Sequence, residues 1–259
     1  SEDYNRYVLT FDDLTNMVAA QHKAAWSEVA RRVAHEIKNP LTPIQLSAER
    51  LKRKYLSQIS KDDETFIKLT EIIVKQVGDI KRLIDEFSFF ARLPEPKLRK
   101  IDLEEVCQQA IFLMGESDKS VKVHFQKDEI VVNHFVNGDD RLLHQCIVNI
   151  IKNALNALST VDRDNKGIWV SLSQKDNSLK LDIEDNGPGL PQDRIDSLTA
   201  PYFSLLPKGT GLGLAIVKKI IQDHKGSLVF GQSRYDAGAK ITVILPIFVE
   251  KQMRTENEK

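Results

Sequence analysis

The sequence predicts an α-helical hairpin followed by an α+β layered domain, and three patterns carry that prediction. From about Met17 to Tyr55 the apolar positions Ala30, Ala34, Ile37, Leu41, Ile44, Ala48, Leu51 and Tyr55 alternate in spacings of four and three, a heptad seam. A second seam runs through Phe66, Ile73, Ile80 and Phe87, with Thr70, Val77, Ile84 and Ala91 as its companion row. Beyond Ile101 strand-like runs and helical runs intermix, as they do where helices cover one face of a mixed sheet.

In chain order, Tyr7-Val-Leu-Thr-Phe11 has strand composition and leads through Asp12-Asp13-Leu14-Thr15 into a helical pattern. Residues 1–15 therefore read as the last strand of a preceding domain, and 16–27 as a connecting helix. The hairpin occupies 28–92, with its polar turn at Gln58 to Asp63. It has too few apolar layers to be well buried alone, so pairing with a second copy into a dimeric four-helix bundle is expected. The two prolines of Leu93-Pro-Glu-Pro96 break helix and mark a linker over 93–100. The second domain, 101–250, is predicted to contain helices at about 102–114, 139–159 and 212–224. Its strands are placed at Val121–Phe125, Ile130–Phe135, 167–174, 179–184, 226–231 and 239–246. Residues 251–259 form a polar tail.

Composition narrows the function. The 259 residues carry 37 basic and 37 acidic side chains, and this zero net charge argues against a nucleic-acid binder that relies on phosphate attraction. The only cysteines, Cys107 and Cys146, lie in apolar helical runs without metal-site spacing and read as buried thiols. No run approaches the roughly 20 apolar residues of a membrane span, and the first residues lack signal-peptide order. The fragment is expected to be soluble, with any membrane attachment supplied by N-terminal segments of a longer parent.

Four short segments carry chemistry. His35-Glu36-Ile37-Lys38-Asn39-Pro40 places a histidine beside the heptad seam, with Asn39 one turn on and Glu36 adjacent. Pro40 and Pro43 remove backbone donors, so the helix is expected to loosen after the histidine. A lone histidine there is equally a solvated surface residue. Asn149 and Asn153 share one face of an otherwise apolar helix, either as a surface amide edge or as oxygen donors to a hard cation. Asp185-Asn-Gly-Pro-Gly189 follows a strand, and Lys208-Gly-Thr-Gly-Leu-Gly213 opens a helix where backbone N–H groups can approach phosphates. Each glycine segment alone is also compatible with a mere turn.

Together these segments resemble the sensor histidine kinases of two-component systems. The H box matches His35 to Pro40 and the N box Asn149 to Ala157. The first glycine box matches Asp185 to Gly189, the F box Pro201-Tyr-Phe203-Ser, and the second glycine box Gly209 to Gly213. The wording Ala-His-Glu-Ile-Lys-Asn-Pro-Leu-Thr-Pro is similar to NtrY-type kinases of bacterial nitrogen regulation, in which a PAS sensor domain precedes the H box.

The resemblance implies a Bergerat-fold (GHKL) ATP-binding sandwich after the bundle, with ATP and Mg²⁺ as cofactors. It implies that His35 accepts the phosphoryl group, Glu36 acts as general base, and Asn39 positions water when the regulator is dephosphorylated. Asp185 would read the adenine, Gly187 and Gly189 would shape its pocket, and Asn153 would ligate Mg²⁺ with Asn149 beside it. Lys152, Phe203, Lys208, Gly209, Thr210, Gly211, Leu212 and Gly213 would complete the nucleotide site, with 190–208 as a lid. Asn156 stands where many members carry a basic residue. The implied partners are a second copy of the chain and a response regulator of NtrX-like type. The implied parent is anchored in the bacterial inner membrane with its catalytic part in the cytoplasm.

Overall fold

The computed structural model describes residues 15–55, 64–115, 119–205 and 209–250. The expected N-terminal strand, the hairpin turn, Lys208 and the polar tail lie outside them. The chain divides into two compact units, Ser1–Leu93 and Pro94–Lys259.

The first unit is a pair of helices, α1 (Thr15–Tyr55) and α2 (Glu64–Ala91). α1 runs on through Pro40 and Pro43, where the sequence predicts loosening. Thr42 sits between the prolines, and its hydroxyl donates to the Lys38 carbonyl at 3.4 Å. The predicted seam of α1 separates into two rows. Ala30, Ala34, Leu41 and Ala48 are buried, and Ala34 and Leu41 form a cluster with Val77 and Ile84 of α2. Ile37, Ile44 and Leu51 remain 41–47% exposed. On α2 the companion row Thr70, Val77, Ile84 and Ala91 is the buried one, whereas Ile73 and Ile80 are 43% and 40% exposed. On α1 the inner row is mostly alanine, which lets the two backbones approach, and Leu41 meets the larger Val77 and Ile84 of α2 there. Thr70 is tolerated in the inner row because its hydroxyl donates to the Phe66 and Ile67 carbonyls of its own helix.

The second unit is a sheet with helices on one face. Its elements are β1 (Arg99–Asp102), α3 (Leu103–Gly115), β2 (Val121–Lys127), β3 (Phe135–Gly138), α4 (Asp140–Leu158), β4 (Lys166–Lys175), β5 (Ser178–Asp185), α5 (Gly213–Asp223), β6 (Ser227–Gln232) and β7 (Ala239–Pro246). The main sheet has the order β2-β4-β5-β7-β6, parallel only between β2 and β4. Alternation on its strands sends Ile168, Val170, Leu172, Leu179, Leu181, Ile183, Val243 and Leu245 into the core. Opposite them lie Leu143, Ile147, Ile150, Ile151 and Leu158 of α4 and Val217, Ile220 and Ile221 of α5. Cys107 and Cys146 are buried in α3 and α4.

Two local expectations fail. Ile130–Phe135 is predicted as a strand, but Asp128 draws residues 128–131 into a turn, its carboxylate accepting from Ile130 N and its carbonyl from Val131 N. The strand there, β3, starts only at Phe135. Strand β1 begins inside the predicted linker and pairs antiparallel with β3, Ile101 against Val136. Its Arg-Lys-Ile-Asp sequence has one apolar residue and hence no alternation to read.

The open face of the sheet carries buried polar side chains at its centre. Asp182 is 6% and Glu184 1% exposed. Burial alone raises the Asp182 carboxyl, but the Thr242 hydroxyl, Lys240 and Lys180 more than offset it and hold the group below the usual carboxylate range. A carboxylate lowered in the folded state stabilises the fold fully above its unfolded value of about 4, and that stabilisation is lost as pH falls through the lowered folded value. Thr242→Val is therefore expected to destabilise the chain by about 1 kcal/mol at neutral pH. It should also flatten the fall of the melting temperature below pH about 4. Melting curves across pH test this, and equal slopes in both proteins would show that the hydroxyl does not set the Asp182 charge.

Candidate functional site

In the first unit the site rests on one exposed stretch of α1. His35, Glu36 and Asn39 are all exposed, and His35 and Asn39 share a face at i and i+4. Their neighbours hold the helix in place: Ala34 is buried in the hairpin core, and Lys38 pairs with Asp85 of α2. The imidazole is exposed to solvent.

In the second unit the predicted residues gather along α4. Asp139 caps this helix, its Oδ1 accepting from Arg141 N at 3.1 Å and Leu142 N at 3.3 Å. The same carboxylate accepts from Lys97 N at 3.0 Å, and the Asp139 N–H donates to His224 Nε2 at 2.9 Å. The buried apolar row then fixes the rotation of α4, leaving Asn149, Asn153 and Ala157 in line one turn apart and only partly covered. Gln145 Nε2 donates to Asn149 Oδ1 at 2.9 Å. A Cβ on Gly213, the first residue of α5, would stand 3.7 Å from Asn153 Oδ1. Farther along, a Cβ on Gly187 would stand 3.5 Å from Ala157 Cβ. One face of α4 thus joins the first glycine segment to the end of the second, where α5 begins. Lys152 is half-buried on the same helix, and Asn156 is exposed.

Asp185 ends β5 and is 5% exposed. Its Oδ1 accepts from Gly187 N at 2.8 Å and from Ala239 N at 3.2 Å. Burial pushes its carboxyl above the usual range, and these two N–H groups oppose that shift without cancelling it. Asn186 fixes the next step of the chain, accepting from Gly167 N at 2.9 Å and donating to the Asn165 carbonyl at 2.7 Å.

The second glycine segment is built differently. Gly211 has φ +72°, and a Cβ there would meet the Tyr202 carbonyl carbon at 2.4 Å, so only glycine fits. Tyr202 itself has φ +66° and donates its N–H to the Gly211 carbonyl at 3.1 Å. This ties the F-box segment, with half-buried Phe203, to the loop. Leu212 is 1% exposed, so its side chain belongs to the core. Its N–H donates to Thr210 Oγ1 at 3.3 Å and its carbonyl accepts from Ile216 N at 2.9 Å. The N-cap residue of α5, Leu212, makes no side-chain hydrogen bond to the first N–H groups of the helix, which begins beside Asn153. Gly209 is exposed on the same loop.

The sequence reading missed the turn between β6 and β7. A Cβ on Gly238 would stand 1.7 Å from the Asp185 carbonyl oxygen, and one on Gly189 2.1 Å from the Ala237 carbonyl oxygen. This turn is the wall against which the first glycine segment rests. A glycine between two predicted strands was visible, but its partner lies 53 positions away (Gly238 against Asp185) and no local pattern connects them.

Comparison with known proteins fits this geometry. Residues 25–96 match the His Kinase A (phospho-acceptor) domain. Residues 138–248 match the histidine kinase-, DNA gyrase B-, and HSP90-like ATPase. Nitrogen regulation protein NtrY of Azorhizobium caulinodans is 45% identical over 92% of this chain, which spans 31% of that relative. A putative sensor histidine kinase NtrY-like of Rickettsia felis is 36% identical over 88% of this chain and 37% of its own length. The chain spans about a third of the length of these relatives. Full-length ShkA in complex with AMPPNP shares the fold with TM-score 0.67 at 21% identity, over 86% of this chain and 46% of that one. Histidine kinase ThkA in complex with response regulator protein TrrA gives TM-score 0.63 at 22% identity, over 93% and 70%. With a phospho-acceptor hairpin and an ATPase sheet matched in that order, the chain belongs to the histidine kinase family, among its NtrY-like members.

Proposed function

We propose that this chain binds Mg-ATP along α4, phosphorylates its own His35, and passes the phosphoryl group to an aspartate of a response regulator. The observation that carries this reading is the face of α4 bearing Asn149, Asn153 and Ala157, which joins a buried carboxylate at one end to a helix N-terminus at the other. Asp185 has Oδ1 held by two backbone N–H groups, which leaves Oδ2 to accept from the adenine amino group. At the other end, the first N–H groups of α5 and the 209–213 loop suit phosphate oxygens. The side-chain oxygens of Asn153 and Asn149 are hard donors of the kind Mg²⁺ takes, so the donor set fits that ion. Bound there, Mg²⁺ would neutralise charge on the transferring phosphoryl group. Lys152 and Lys208 are assigned to phosphate contacts.

In the transfer, a neutral ring nitrogen of His35 bonds to the γ-phosphorus while the bond to the β–γ bridging oxygen breaks and ADP leaves. Glu36 takes or orients the ring proton. The aspartate carboxylate of the regulator then attacks the phosphohistidine and frees the imidazole. Asn39, on the same face as His35, is assigned to orient water when the aspartyl phosphate is hydrolysed. The name of the NtrY relative supports a role in nitrogen signalling with an NtrX-like regulator. We assign the parent protein to the bacterial inner membrane through segments outside this chain. Among the described residues no helix is long and apolar enough to cross a membrane.

The outer row Ile37, Ile44, Leu51, Ile73 and Ile80 supports a homodimer, because a second hairpin would cover it as a four-helix bundle.

Incubation with γ-labelled ATP and Mg²⁺ is expected to give acid-labile, base-stable label on the wild-type chain. None is expected on His35→Gln, and at least a hundredfold less, in order of magnitude, on Asn153→Ala or Asp185→Asn. Label that survives His35→Gln would refute the acceptor. Ile73→Glu with Ile80→Glu is expected to turn the dimer into a monomer in light scattering while ATP binding persists. An unchanged mass would show that another surface mediates association.

A further inference from the structure

We infer that Arg234, on the face of the sheet opposite the nucleotide pocket, is a positioning residue that holds the Asp185 carboxylate in register for adenine. This inference rests on the reading of Asp185 as the adenine acceptor. Glu184 and Asp185 are consecutive in β5, and alternation sends them to opposite faces. Both grip the same turn. On the open face, Glu184 Oε2 accepts from Arg234 N at 2.8 Å, and Oε1 accepts from Arg234 Nε at 3.0 Å and Nη2 at 2.8 Å. On the pocket face, five residues on, Ala239 N donates to Asp185 Oδ1 at 3.2 Å. Between these contacts Gly238 lies directly against the Asp185 carbonyl.

The geometry makes the turn a strap over the end of β5, fastened at its start to Glu184 and at its finish to Asp185. Arg234 uses its backbone N–H and its guanidinium together, so one residue fixes both the chain path and the side chain. Lys240 Nζ, at 3.4 Å from Glu184 Oε1, belongs to β7, and at the start of the turn the Ser233 hydroxyl adds only a long contact to Glu184 Oε2 at 3.5 Å. Tyr235 stacks on Trp169 at 3.7 Å and Arg163 pairs with Asp236 at 2.9 Å, so the middle of the strap stays anchored without Arg234. Losing the guanidinium should therefore loosen the strap without unfolding the sheet. The Arg234 side chain is 64% exposed and bonded to Glu184, so its effect on nucleotide passes through the turn that touches Asp185.

The test measures autophosphorylation kinetics and ATP against GTP binding in the full chain, with melting curves to monitor folding. Arg234→Ala is expected to raise KM for ATP about three- to tenfold, the range of one weakened hydrogen bond, with kcat within about twofold. ATP-over-GTP discrimination should fall by a similar factor, because guanine offers no amino group at that position. Arg234→Lys should recover part of the loss, since its ammonium keeps the charge but not the two-pronged contact. Glu184→Gln should reproduce the phenotype in a side chain of the same shape, and the double variant should be no worse than either single one. Unchanged KM and selectivity in folded Arg234→Ala and Glu184→Gln, with Asp185→Asn strongly impaired, would overturn the positioning role and leave the Asp185 reading intact. If Asp185→Asn also binds ATP normally, the Asp185 reading fails and the inference with it.

Discussion

The rotational setting of α4 is the constraint on which the nucleotide site depends. Its buried row, Leu143, Ile147, Ile150, Ile151, Ala154 and Leu158, admits one orientation against the sheet, because turning the helix by one residue would exchange an apolar side chain for an amide in the core. At its N-terminus Asp139 adds a second constraint. This carboxylate is 2% exposed and bonded to the chain before and after the helix start. Burial raises it, yet the N–H groups of Lys97 and Leu142, with Arg141, hold its carboxyl below the usual range, so it stays charged where the helix dipole favours a negative group. With direction and rotation both set, Asn149, Asn153 and Ala157 have no freedom to leave the pocket wall.

The hairpin solves a different problem with the same heptad vocabulary. Its inner contact relies on small residues, three alanines and Leu41 on α1, and therefore buries little area per turn. Its outer row holds the isoleucines and Leu51, which leave more apolar surface in water. At roughly 25 cal/mol per Å², the outer row is where covering the hairpin would add most hydrophobic stabilisation. His35 sits at the border of these rows, one residue from Ala34 and two from Ile37, and is exposed.

Much of this was legible from the residues. Long amphipathic helices announced themselves by period, and α4 and α5 fell within a residue or two of their predicted ends. Five ordered motifs exposed the family, because each keeps its residues within one local segment. What escaped was non-local or chemically plain. β1 has one apolar residue and exists because β3 lies beside it. Ile130 and Val132 look like strand residues but follow Asp128, whose turn overrides their propensity. The split of the seam is invisible in spacing, since both rows satisfy a heptad and on α2 isoleucine occurs in each, Ile84 inside and Ile73 and Ile80 outside. Gly238 and Arg234 matter through Asp185 and Glu184, about fifty positions earlier, and no local pattern records a pairing across β5 and β7.

The two thiols of the second unit also have a consequence. Cys107 and Cys146 are 0% and 1% exposed, and burial in an apolar core, the main cause at both, pushes them well above the ordinary thiol range. The reactive species of sulfur is the thiolate, so while this unit stays folded its cysteines are chemically silent toward oxidants and alkylating agents. They become reactive only when α3 and α4 part from the sheet. Sulfur in this chain therefore acts as an internal clock of opening, whose rate of modification reads how often the ATPase core breathes.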